Sequence, residues 1–290
     1  MNRLLITGGS GFVGGHICKQ ALDKWDIQAT YRTRSFSIPG VHAVKLDLAD
    51  ERQVERAVEK CMPHTVIHTA AWSDLERCEG DPQKAFHINA TATEILAELS
   101  RRFEFRLIFI SSDMVFDGRK GSYTETDSVN PLNVYGHTKL AAERFIQTAA
   151  ENFVIARSAL VYGPPVTGVN SFSETLKKRV GKQRKPMPLF TDEFRSPVLV
   201  QSLAACLLEL AENNFNGIIH LGGASGCDRY SFARRMADLN GWPHSLLKPV
   251  SMKDISFSAS RPADTTYDIS LAQQVLSTPL PGFFSGLEQA

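Results

Sequence analysis

Tyr135 and Lys139 stand four residues apart in Tyr135-Gly136-His137-Thr138-Lys139, a spacing that puts a phenol and an ammonium on one face of a helix. A neighbouring ammonium is expected to lower the phenol's pKa from about 10, which suits it to give a proton to an oxygen gaining charge. Upstream, Ile108-Phe109-Ile110-Ser111-Ser112-Asp113 is an apolar strand pattern that ends in hydroxyls. The carboxyl edge of a parallel sheet faces ligand, so Ser112, with Ser111 as the alternative, stands where a carbonyl could be polarised.

A second chemistry is written at the N-terminus. Leu4-Leu5-Ile6-Thr7 runs into Gly8-Gly9-Ser10-Gly11-Phe12-Val13-Gly14-Gly15, a strand passing through glycines into a helix. Such a turn lets backbone approach a pyrophosphate at the positive end of the helix dipole. Two registers fit, Gly9-Gly11-Gly14 and Gly8-Gly11-Gly14, and Phe12 and Val13 belong to the same expected contact. The second strand ends in Thr30-Tyr31-Arg32-Thr33-Arg34. A carboxylate there would hold the ribose hydroxyls of NAD, whereas arginine suits a 2′-phosphate. Arg32 and Arg34 therefore predict NADP(H). At the next strand end, Leu46-Asp47-Leu48 offers a carboxylate either to an adenine amino group or to the start of the following helix.

These groups need a scaffold. Arg3 to Thr7, Ile27 to Tyr31, Ala43 to Leu46, Thr65 to Thr69, Arg106 to Ser111 and Phe153 to Arg157 are short apolar runs separated by helical spacing, as in Val54, Ala57, Val58 and Cys61. This rhythm predicts an α/β fold with a doubly wound parallel sheet. Gly163-Pro164-Pro165 breaks it, and a helix from Ser202 to Glu212 and a strand from Gly217 to Leu221 return to it. The expected organisation is a dinucleotide-binding unit of residues 1–164 plus 198–222 and a smaller, irregular substrate lobe of 165–197 plus 223–290. A chain of 290 residues has room for both.

Composition removes other classes. Lys and Arg number 32 against 31 Asp and Glu, so nothing drives the chain toward nucleic acid or a lipid surface. The basic run Lys177 to Lys185 carries no interleaved aromatic residue and reads as a solvated helix end. Five scattered cysteines form no C-x-x-C pair, and His68, His87 and His137 show no metal-ligand spacing. With no apolar run of membrane length, a cytoplasmic protein without a metal is expected.

Together the motifs resemble the extended short-chain dehydrogenase/reductase family, whose pattern is T-G-x-x-G-x-x-G, a strand ending in Ser or Thr, then Y-x-x-x-K. The resemblance selects the register Gly8-Gly11-Gly14. It makes Thr69-Ala70-Ala71 a cofactor turn, Asn89 a structural asparagine, and Arg157 to Pro164 the strand after the catalytic helix. Ala71 to Glu79, Ser112 to Gly118, Pro131 to Gly136 and Arg261-Pro262-Ala263-Asp264 resemble the dTDP-4-dehydrorhamnose reductase branch. That likeness implies that Ser112 orients a keto group, Tyr135 donates the proton, Lys139 binds nicotinamide-ribose hydroxyls, and NADPH supplies hydride.

Two departures bear on the substrate. The family's dehydratases carry a glutamate at Met114, while the rhamnose reductases have tyrosine there and tryptophan at Leu160. The substrate pocket is expected among Asp74, Met114, Leu160, Asn170, Arg195 and Arg261, with at least one arginine facing it if the keto substrate is a nucleotide sugar. A homodimer is compatible with this reading. The alternative is a non-catalytic NADP-binding subunit, like the regulatory subunit of methionine adenosyltransferase in the same branch.

Overall fold

A computed structural model describes residues 1–169 and 171–289. Its centre is a seven-stranded sheet of β1 (Asn2–Thr7), β2 (Trp25–Tyr31), β3 (Val41–Lys45), β4 (Thr65–His68), β5 (Arg106–Ser112), β6 (Phe153–Ser158) and β7 (Gly217–Leu221). All neighbours pair in parallel, in the order β7-β6-β5-β4-β1-β2-β3. This is the doubly wound dinucleotide-binding arrangement.

The central strands β1, β4, β5 and β6 read as apolar runs because both their faces are covered, whereas β2 alternates and the edge strand β3 has no buried residue. Leu4, Ile6, Ile67, Ile108 and Val154 pack against Ile17 of α1 (Phe12–Gln20) and Leu203 and Leu207 of α5 (Val200–Glu212). Alternate residues Leu5, Val66, Leu107, Phe109 and Ile155 meet α2 (Glu51–Cys61), α3 (Ala92–Arg102) and α4 (Val134–Ala149). Ile88, Ala92, Ile95, Leu96 and Leu99 repeat at three and four residues, yet the helix they suggest is interrupted, since His87–Thr91 forms a π-helical turn before α3.

The later segments build smaller ladders. Val161–Tyr162 pairs with Val198–Leu199, Phe194–Arg195 with Cys227–Asp228, and Met187–Phe190 with Leu247–Val250. They share a third apolar cluster with Phe232, Ala233 and Met236 of α6 (Arg229–Asn240). The basic run continues the helix Phe172–Leu176 as a π-helical turn, Lys177–Lys182, with its lysines and arginine exposed. Among the described residues no helix is long and apolar enough to cross a membrane.

Candidate active site

Register brings the chemistry to one edge. Thr7 pairs with His68, His68 with Phe109, and Ser112 with Ser158, so the carboxyl ends of β1, β4, β5 and β6 lie side by side. Above them opens a cleft of about 540 Å³.

One half of this cleft is backbone. Gly8 has φ +74°, and its amide plane is crossed so closely that a Cβ on Gly14 would stand 2.2 Å from the Gly8 carbonyl oxygen. Gly11 donates to the same oxygen at 2.8 Å. Gly8, Gly11, Phe12 and Val13 line the cleft. No side chain of the described residues caps α1, and its first turn holds no acid, so its leading N–H groups can serve an anion. Thr69 donates to the Thr7 carbonyl at 2.7 Å, fixing the turn Thr69-Ala70-Ala71 beside Gly8 along the cleft. This cradle fits a dinucleotide pyrophosphate.

Arg32, Asp47 and Leu48 line the far end of the cleft. The helix-start role considered for Asp47 belongs to Asp50, whose carboxylate caps α2 by accepting from Gln53 N at 3.1 Å. Arg34 is off the cleft wall and donates to the Gly168 carbonyl at 3.2 Å.

The other half is side-chain chemistry. Asn133 caps α4 by accepting from Gly136 N at 2.8 Å. A Cβ on Gly136 would meet the Met114 carbonyl at 2.2 Å, so this glycine lets α4 lie against the end of β5. Tyr135, Lys139 and Ser112 thereby face one space. The Ser112 hydroxyl donates to Asp113 at 3.1 Å and accepts from Met114 N at 3.2 Å.

The expected electrostatics need correction. Burial raises the Tyr135 phenol above its ordinary value, with the Ser112 hydrogen bond opposing. Burial also brings Lys139 down to about 7, with Glu143 opposing. Lys139 is 2% exposed, its ammonium 4.0 Å from the centre of the Phe109 ring. Desolvation of both groups outweighs the help one can give the other. His68, unassigned by the sequence, bonds Thr7 at 2.6 Å and Thr93 at 3.1 Å, and burial together with the Lys139 charge lowers it to about 3. It is neutral beneath the cleft.

A model of the RmlD substrate binding domain matches residues 1–290. The chain belongs to the RmlD substrate-binding domain family. It is 28% identical over 288 residues to a dTDP-4-dehydrorhamnose reductase of Aggregatibacter actinomycetemcomitans, covering 94% of this chain and 93% of the relative. It is 30% identical to methionine adenosyltransferase 2 subunit beta of Xenopus laevis, covering 94% and 82%. Among solved structures it is similar to dTDP-4-dehydrorhamnose reductase from Bacillus anthracis in complex with NADP, with TM-score 0.89, 25% identity, and coverage of 100% and 98%.

Membership of the RmlD family does not bring every expected substrate residue to the wall. Asp74 caps the short helix Leu75–Gly80, accepting from Arg77 N at 3.1 Å. Met114 is buried under Asn133, and the Leu160 carbonyl takes the Val198 N–H. Asn170 lies outside the described residues. Arg195 is 1% exposed, paired with Asp113 at 3.3 Å and Glu193 at 3.0 Å, and donates to the Pro262 carbonyl at 3.0 Å. Arg261 is held by Glu76 at 3.4 Å and lies over the Phe257 ring. Neither arginine lines the cleft: Arg195 is neutralised by the buried Asp113 and Glu193, and Arg261 by the part-exposed Glu76, with Glu193 at 4.0 Å. Trp72, Ser73, Ile88, Ser158 and Ala159 line it instead. Trp72 and Ser73 directly follow the Thr69-Ala70-Ala71 turn, a signal the sequence carried.

Proposed function

We propose that the chain is an NADPH-dependent reductase of a keto group on a nucleotide sugar. The observation that carries this reading is the convergence of Ser112, Tyr135 and Lys139 on the cleft that also holds the glycine turn and Arg32. NADPH supplies the hydride when bound. The turn from Gly8 to Val13 and the α1 N–H groups receive its pyrophosphate, Arg32 its 2′-phosphate, and Asp47 its adenine amino group. Ser112 orients the keto oxygen and Tyr135 gives it a proton, while Lys139 holds the nicotinamide ribose. Residues 165–197 and 223–290 act as the lobe that closes over the sugar, and five buried free thiols suit a reducing cytoplasm. The relatives named as reductases, and the one solved with NADP, support this reading.

Purified protein is mixed with NADPH and a panel of nucleotide-linked 4-keto-6-deoxysugars while NADPH absorbance is followed. Substrate-dependent loss of absorbance is expected. Tight NADP binding with no turnover on any keto sugar would move the assignment to a non-catalytic NADP-binding subunit, the reading that the likeness to a methionine adenosyltransferase 2 subunit beta keeps open.

Cofactor choice gives a separate prediction. NADP(H) is expected to bind at least about tenfold tighter than NAD(H), or about 1.4 kcal/mol. Arg32→Ala should erase most of this preference, and Arg34→Ala much less, since Arg34 is tied to Gly168. Equal affinities of the wild type for both cofactors, measured by fluorescence titration, would refute the arginine assignment.

A further inference from the structure

Beneath the cleft, α4 carries a buried charge that the proton-transfer scheme leaves unused. Glu143 is one helical turn beyond Lys139 and 1% exposed. Its carboxylate accepts from the Ser111 hydroxyl at 2.5 Å. Arg157 on β6 grips the same carboxylate through Nε at 3.0 Å and Nη2 at 2.8 Å. Ser111 lines the cleft. Because its single proton is committed to Glu143, its oxygen meets a ligand with lone pairs alone, and selects an N–H or O–H donor.

Lys139 needs a partner as well, since a buried ammonium without a counter-charge is strongly disfavoured. The groups facing it are His68 from β4, the Phe109 ring from β5, and Tyr135 and Glu143 from its own helix. His68 is neutral and Tyr135 holds its proton at neutral pH, both through burial. Glu143 is the one carboxylate among them: Arg157 and Ser111 take the direct contacts to its oxygens, and its field acts on Lys139 from one helical turn away, against burial.

Resting on the reductase reading, we propose that Glu143 is a positioning residue of this site: its carboxylate presents Ser111 to the ligand as an acceptor and gives the Lys139 ammonium its counter-charge, while Arg157 holds that carboxylate in place.

The test is NADPH binding as a function of pH, followed by fluorescence on the full chain. In the wild type, loss of the Lys139 charge sets the alkaline limb of binding, and the limb is expected to move to lower pH by about one unit in Glu143→Gln. That variant leaves Arg157 buried without its partner, so Glu143→Gln/Arg157→Gln is measured beside it. A folded Glu143→Gln variant with the limb at its wild-type position would overturn the proposal, as would a double variant, which loses one charge of each sign, with a limb displaced further than in Glu143→Gln. Ser111→Ala should weaken NADPH binding roughly five- to tenfold, the cost of one lost hydrogen bond, and Ser111→Thr should restore it. Unchanged affinity in Ser111→Ala would also overturn the proposal, and this pair decides if neither Glu143 variant folds. A wild type that binds no NADPH removes the reductase reading itself, a result separate from an unmoved limb.

Discussion

Tyr135→Phe is expected to lower kcat/KM for keto-sugar reduction by about 10³-fold, within the range that a positioned general acid contributes. The ring is half-buried on α4 and its neighbours are retained in phenylalanine, so fold and NADPH affinity should change little. Burial keeps the phenol protonated throughout the neutral range. On the proposed reading Tyr135 is therefore a loaded donor, and an alkaline loss of activity near pH 8 would have to come from another group. Once the phenol has given up its proton it becomes a buried phenolate, which favours rapid reprotonation. Retained turnover in the phenylalanine variant would require a different acid. Asp113 is poorly placed for that duty, because Arg195 at 3.3 Å and the Thr265 hydroxyl at 2.9 Å already engage its carboxylate. Rate measurements over pH 6 to 9 with saturating NADPH separate these cases.

The parts of this site that were legible in the sequence are those set by local backbone. Gly8 and Gly14 are required by a positive φ and a 2.2 Å approach that involve a few neighbouring residues. Tyr135 and Lys139 share a face because helix geometry fixes the spacing, and Asn133 starts that helix through its own side chain. The central strands were visible because a sheet covered on both faces demands continuous apolar runs, and the less buried β2 and β3 because their short β-branched segments alternate with helical spacing. Arg195 shows where such reasoning stops. Its partner Asp113 is far away in sequence, and no local pattern announces that the two meet in the interior. The same holds for Arg261 with Glu76 and for Ser111 with Glu143. Asp47 and Asp50 were confusable because each precedes the helix, and the hydrogen bond to Gln53 separates them. The direction of the Tyr135 shift was misread for a related reason: the Y-x-x-x-K spacing reveals a neighbour, whereas desolvation depends on the whole surrounding fold.

Lys139→Met is expected to make the cofactor-free protein more stable while weakening NADPH binding and abolishing turnover. In the folded chain burial brings the lysine to about 7, whereas an unfolded lysine titrates near 10.4. Between those values the unfolded chain binds more protons, so this residue's contribution makes stability rise with pH across the window. Below pH 7 the buried ammonium exacts its full cost, a few kcal/mol by the same linkage. Methionine keeps the length and removes the charge. It also loses the attraction to the Phe109 ring, which offsets up to about 2 kcal/mol. The net gain for the variant should be about 2 kcal/mol at pH 6 and shrink steadily toward pH 10, as the wild-type lysine loses its proton in both states. Urea denaturation at pH 6, 8 and 10 measures this directly. A variant less stable than wild type at pH 6 would show that Glu143 and Phe109 fully compensate the buried charge. The gain should narrow again when NADPH is added, because the ligand stabilises the chain that binds it in proportion to its affinity. Lys139 would then be held in the fold for the ligand it receives, since the empty protein is better off without it.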